Sequence, residues 1–166
     1  MPEEMVWSGT SSQWKNFGMY FLWALAFVLL VSLSVICSEV TDARIAKGGP
    51  YILLLLIVPI FIALARYLQT KNKVYELTTE RLKTTEGVFS KVTDTLELYR
   101  VKDLEKRQPF FYRLVGVENV ALNTSDASSP FIFIEAIPSS VGLADKIRNQ
   151  VEGVRAQKGV REIDVE

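Results

Sequence analysis

The stretch FGMYFLWALAFVLLVSLSVICS, from Phe17 to Ser38, and the stretch GGPYILLLLIVPIFIALA, from Gly48 to Ala65, contain no charged residue and lie nine residues apart. As helices rising about 1.5 Å per residue they reach roughly 33 and 27 Å, against a bilayer hydrocarbon core of about 30 Å. Each is long enough to cross a membrane once. Backbone polar groups in lipid must be satisfied within their own segment, and the connection Glu39 to Lys47 is too short to recross, so the two runs are expected to form a transmembrane helical hairpin. On this reading residues 1–16 are an N-terminal cytoplasmic tail, 39–47 a short external loop, 48–68 the second span and 69–73 a basic linker.

The flanks agree with the spans. Trp14 and Tyr20 sit near the outer end of the first run, and Tyr51 and Tyr67 bracket the second, in the manner of interfacial aromatic belts. Gly48-Gly49-Pro50 suits the start of a helix, and Pro59 should kink the second span. Lys15, Arg66, Lys71 and Lys73 outnumber Arg44 and Lys47 in the loop, which places both termini in the cytoplasm. Arg66, Lys71 and Lys73 are then candidate membrane-surface contacts. The first run is longer than a signal peptide's apolar region of about 7 to 15 residues. Cys37 follows the bulky Ile36 where a lipoprotein site wants a small residue, and as the chain's one cysteine it has no partner for an internal disulfide.

Composition narrows the chemistry. The chain has no histidine, so a His-based general base or metal site is excluded, and no cofactor is expected. Its 19 basic residues balance 19 acidic ones, and from Val74 onward 13 Lys and Arg stand against 15 Asp and Glu, a charge that disfavours nucleic acid as a ligand. There is no Gly-rich phosphate loop, no nucleophile-elbow motif and no charge inside either apolar run, so neither an enzyme nor an ion or proton pathway is expected.

Beyond Lys73 the pattern changes to short β-favouring runs broken by Thr, Gly, Asn, Asp and Pro. Strands are expected at Val74 to Thr78, Arg81 to Glu86, Ser90 to Leu96, Val101 to Gln108, Val117 to Thr124 and Phe131 to Ile137. Tyr75 and Leu77 share one face, as do Val120 and Leu122, while Phe131 to Ile134 is apolar on both faces and reads as the most buried strand. Leu143, Ile147, Val151 and Val154 then recur along one stripe, predicting an amphipathic helix capped by Ser139 or Ser140 that covers the sheet. Residues 157–166 read as a mobile tail.

The residues YELTTERL from Tyr75, Gly87, LELYRVKDL from Leu96 and RLVGVENVALNT from Arg113 together resemble the bacterial pleckstrin-homology-like (bacterial PH domain) family of small membrane proteins. The resemblance covers most of residues 74–154, and two preceding spans fit the family's layout. It implies a split barrel of about seven short antiparallel strands, closed at one end by a C-terminal helix. The fold class expected is therefore α+β: a two-helix transmembrane hairpin followed by a PH-like antiparallel β split barrel over residues 74–156, in the bacterial inner membrane. In eukaryotic relatives the first strand pair grips inositol phosphates with Lys and Arg; the hairpin Thr78 to Lys83 carries Glu80 at its tip, so that site is not expected here.

Two surface features remain as candidate partner or lipid contacts. Arg100, Lys102, Lys106, Arg107 and Arg113 form a basic cluster interrupted by Asp103 and Glu105, which also fits an exposed strand of alternating charge. Phe110, Phe111 and Tyr112 are three consecutive aromatics after Pro109, and a short loop cannot turn all of them inward; the alternative is that two of them close one end of the barrel. The function expected is a non-enzymatic membrane-anchored adaptor at the cytoplasmic surface, with membrane lipids and a membrane-protein partner. The alternatives are an accessory or assembly subunit bound through its hairpin, and an anionic-lipid sensor.

Overall fold

A computed structural model describes residues 3–39 and 57–159. They fall into two compact units, Met1–Lys15 with Gln69–Glu166, and Asn16–Leu68. The first unit is therefore discontinuous, and the second is inserted into it.

The β unit begins with a strand that the sequence reading assigned to the N-terminal tail. Strand β1, Met5–Thr10, pairs antiparallel with β2, Val74–Thr78, with Thr10 opposite Val74 and Gly9 opposite Tyr75. Strands β3, Arg81–Glu86, and β4, Val92–Glu97, complete a sheet in the order β1-β2-β3-β4. A second sheet holds β5, Val101–Arg107, β6, Val117–Thr124, and β7, Phe131–Pro138, in sequence order. The seventh strand thus comes from the N-terminus, on the far side of the apolar segment, and the first strand pair is β1–β2 rather than β2–β3.

Tyr75 and Leu77 are buried with Glu76 between them turned outward, which is the period-two pattern of a half-covered strand. Leu82, Leu96, Val120, Leu122 and Ile134 join them from both sheets. The most buried strand is β6, not β7: β6 lies between two neighbours, whereas β7 is an edge whose Phe131 is 53% exposed. A run of apolar residues reports hydrophobicity, but position in the sheet decides burial.

The last helix, α4, Leu143–Lys158, buries Leu143, Ile147, Val151 and Val154 as the stripe requires. Its cap differs from the expectation. Gly142, in the left-handed conformation at φ 59°, precedes it, with no side-chain cap. The Ser139 hydroxyl donates instead to the Gly116 carbonyl, 3.0 Å away. The helix also runs on through Gln157 and Lys158, assigned above to the tail, and stops at Gly159, φ 65°. Residues 160–166 lie outside the described residues.

The helical unit contains α1, Phe17–Glu39, and most of α2, Ile57–Lys71. The segment Gln13–Ile36 is the one helix among the described residues long and apolar enough to cross a membrane. Phe21, Leu22, Leu25, Val28 and Leu29 are all exposed, so α1 is apolar around its circumference rather than along a stripe. Ser32 returns its hydroxyl hydrogen bond to the Val28 carbonyl of its own helix, at 2.9 Å. A cleft of about 460 Å³ opens between the two helices, lined by Tyr20, Trp23, Phe27, Pro59, Ile60 and Ala63. The expected loop from residue 40 to Lys47 and the first half of the second span, with Pro50 and Tyr51, lie outside the described residues. So does the chain before Ile57, on which a kink at Pro59 would depend.

Candidate functional site

The end of the β unit at which the chain leaves β1 and rejoins β2 is dense in paired charge. After Thr10 the Ser12 amide donates to the Ala136 carbonyl of β7 at 2.8 Å, and Lys15 reaches Glu135 at 3.3 Å. On the returning side Lys73 meets Glu86 at 3.0 Å. Burial draws the Lys73 ammonium down, but the hydrogen bond to Glu86 and the charges of Tyr75, Glu86 and Glu135 outweigh it and leave its pKa above the ordinary lysine value. The two lysines flanking the insertion are thus held by carboxylates of their own domain. Lys73 was expected at the membrane surface together with Arg66 and Lys71; Arg66 and Lys71 are exposed on α2.

Two apolar prominences flank this end. The first is the β3–β4 turn, where Glu86 pairs with Val92 and Gly87 adopts φ 124°. A side chain at Gly87 would overlap the Ser90 carbonyl oxygen, so the tight turn requires glycine. At its apex Phe89 is wholly exposed, at 103%, between the exposed Val88 and Val92. Sequence reasoning did not single out Phe89. The available signal was an aromatic beside a turn glycine with no alternation to bury it.

The second prominence is the segment after Pro109. It forms a short helix, α3, Phe110–Leu114, ended by Gly116 at φ 67°. Phe110, Phe111 and Leu114 are 68, 74 and 69% exposed, and the two phenylalanine rings meet edge to face at 5.6 Å. Tyr112 is half-buried; burial, and then the charge of Glu135, hold its phenol above the ordinary value. These rings do not close the barrel. Val117, just beyond α3, pairs with Pro138, and the Ser139 amide donates to the Gly116 carbonyl at 2.9 Å, so residues 135–139 link α3 to the chain leaving β1.

The basic cluster behaves differently. Arg100 contacts Asp126 at 3.3 Å and Glu97 at 3.9 Å. Arg107 holds Glu105 through two hydrogen bonds of 2.7 and 2.6 Å. Lys106 lies 2.7 Å from the fully buried carboxylate of Glu118. Three of the five candidate cations are therefore engaged within the domain, and Lys102 and Arg113 remain exposed on β5 and α3. Lys102 borders a groove of about 170 Å³ between β5, an edge strand, and α4, with Leu104, Arg148, Val151 and Arg155 on its walls. Within it the Val101 carbonyl accepts from Arg155 of α4 and the Leu104 amide donates to the Asp103 carboxylate. Among the described residues no cluster of acidic, cysteine or histidine side chains could hold a metal.

The sequence pattern of the family described as Bacterial PH domain matches residues 21–155. The match starts inside α1, so one pattern spans the apolar segment and the strands that follow it, while β1 precedes it. Among solved structures the Vps36 N-terminal PH domain is similar, at 19% identity and a TM-score of 0.40, over 54% of this chain and 68% of that one. No curated protein matches.

Proposed function

This chain belongs to the bacterial PH domain family, and from that premise we propose that it is a membrane-anchored, non-enzymatic adaptor. The family supports a binding role in general, since PH-like domains are typically binding modules. The observation that carries the anchored form is the apolar helix Gln13–Ile36, and the pairing of Thr10 with Val74 sets the topology it must follow. Two neighbouring strands of one sheet lie on one side of any membrane. A chain that leaves after Thr10 and returns at Val74 must therefore cross an even number of times. Helix α1 has the length and composition for one crossing, and the second apolar run has the composition for the return. The excess of Lys and Arg beside the spans favours the cytoplasmic face of the inner membrane for the β unit.

The partner surface we assign is the β5–α4 groove with Lys102. Tethering keeps that groove at high effective concentration for membrane-bound partners, so weak contacts suffice. The apolar cleft between α1 and α2 favours a second reading, an accessory subunit held through its helices. Extraction in polymer nanodiscs from native membranes, with mass spectrometry of co-purifying proteins and lipids, separates the readings when run on two variants. Loss of the partner from Lys102→Glu/Arg148→Glu, with retention when the spans are replaced by an unrelated apolar hairpin, supports the adaptor. The reverse supports the accessory subunit, and recovery with anionic lipid alone supports a lipid sensor.

A further inference from the structure

Thr10, Val74, Thr85 and Thr93 stand in one row across β1 to β4, each the register partner of the next. The Gly87–Lys91 turn therefore projects from the same edge of the sheet at which the chain departs for α1 and returns from α2. Helix α2 ends at Lys71 and β2 begins at Val74, so at most about 10 Å of chain separates them. If the apolar segment spans a bilayer, this edge is held near the headgroups. Phe89 is wholly exposed there, and Phe110, Phe111 and Leu114 stand on α3, which residues 135–139 tie to the same departing chain.

An aromatic ring held fully in water at the apex of a glycine-dependent turn does nothing for the core. At the boundary between headgroups and acyl chains, apolar side chains such as Phe and Leu are favoured, at a depth of about 5–10 Å. The exposed cations beside the two prominences, Lys91 on the turn and Arg113 on α3, suit an anionic leaflet, while the nearby Glu86 and Glu135 are already paired with Lys73 and Lys15. We propose that the Val88-Phe89 turn and the Phe110-Phe111-Leu114 face are wedges seated in the lipid bilayer, which dock the β unit on the membrane that its helices cross. The proposal rests on the membrane-anchored reading above. It adds lipid contacts made by the β unit itself to the anchoring by the helices.

The test uses the full chain carrying Cys37→Ser, reconstituted in nanodiscs of zwitterionic and anionic phospholipid. An environment-sensitive fluorophore is attached at Phe89→Cys, or at Glu80→Cys in the β2–β3 turn as control, and variants are accepted if their melting matches the Cys37→Ser parent. The expected result is blue-shifted emission at 89, quenched by spin-labelled lipid, with water-like emission at 80. Water-like emission at both sites, in a chain that stays with the nanodisc and keeps α1 protected from protease, overturns the wedges while leaving the anchor intact. A chain that separates from the lipid overturns both. Shielding at 89 only in nanodiscs cut from native membranes, where other proteins are present, assigns the turn to a protein partner and overturns the lipid proposal.

Discussion

Thr10 and Val74 face each other across the β1–β2 ladder although the whole apolar segment lies between them. That pairing makes the N-terminal residues part of the domain rather than a tail, and requires both ends of the insertion to emerge on one side. With the Cys37→Ser parent, a membrane-impermeant maleimide applied to intact cells should label Arg44→Cys, between the two apolar runs, and leave Glu4→Cys and Glu80→Cys untouched until lysis. Labelling of Glu4→Cys and Glu80→Cys on opposite sides would contradict the shared sheet.

Glu118 is fully buried on β6, with the Lys106 ammonium 2.7 Å from its carboxylate. The hydrogen bond and charge of Glu118 raise the Lys106 pKa above its ordinary value. Removing the cation strands a charge in a poorly solvated place, which destabilises more than the pair ever stabilised. Lys106→Ala should therefore lower the melting temperature clearly, and adding Glu118→Gln to it should recover part of the loss. Lys102→Ala, an exposed neighbour on the same strand, should change little. Equal effects from the two lysine variants would show that Lys106 is only a surface charge.

Burial on β6 against exposure at the edge of β7 gives a second contrast. Leu122→Ala should cost about 2–5 kcal/mol through the cavity it leaves. Phe131→Ala, with half its surface already in water, should stay within about 0.5 to 1 kcal/mol. Thermal melts of the full chain in nanodiscs would order the two. A larger loss for Phe131→Ala would restore β7 as the core strand.

The local elements were legible because their signals are local. Tyr75 and Leu77 alternate with polar neighbours, and Leu143, Ile147, Val151 and Val154 recur at helical spacing. The misses share one cause, which is dependence on residues remote in sequence. MVWSGT, Met5–Thr10, carries Ser and Gly and becomes a strand only because β2 returns beside it. Ser139 has the chemistry of a cap, but the Gly116 carbonyl takes its hydroxyl. The basic cluster was visible as charge, while the carboxylates of Glu118 and Asp126 that engage Lys106 and Arg100 arrive from another strand and a loop. Three aromatics in a row announced exposure at Phe110 and Phe111; a single ring at Phe89 did not.

Acid should act through carboxylates whose folded pKa lies below the ordinary value. Asp126 is the clearest: the Ser128 hydroxyl donates to it at 2.8 Å and the Ser128 amide at 3.1 Å, burial opposes them slightly, and Arg100 adds its charge. A group with a depressed folded pKa contributes its stability in full above its unfolded value, and loses it as pH falls through the folded value. The Asp126 contribution should therefore be constant above about pH 5 and fade below about pH 4. Asp126→Asn should lower the melting temperature at neutral pH and flatten the acid limb of the stability profile, leaving parent and variant closest at the lowest pH. Parallel profiles, with the same gap at pH 3 as at pH 7, would mean that Asp126 acts through the shape of its turn and not through its charge.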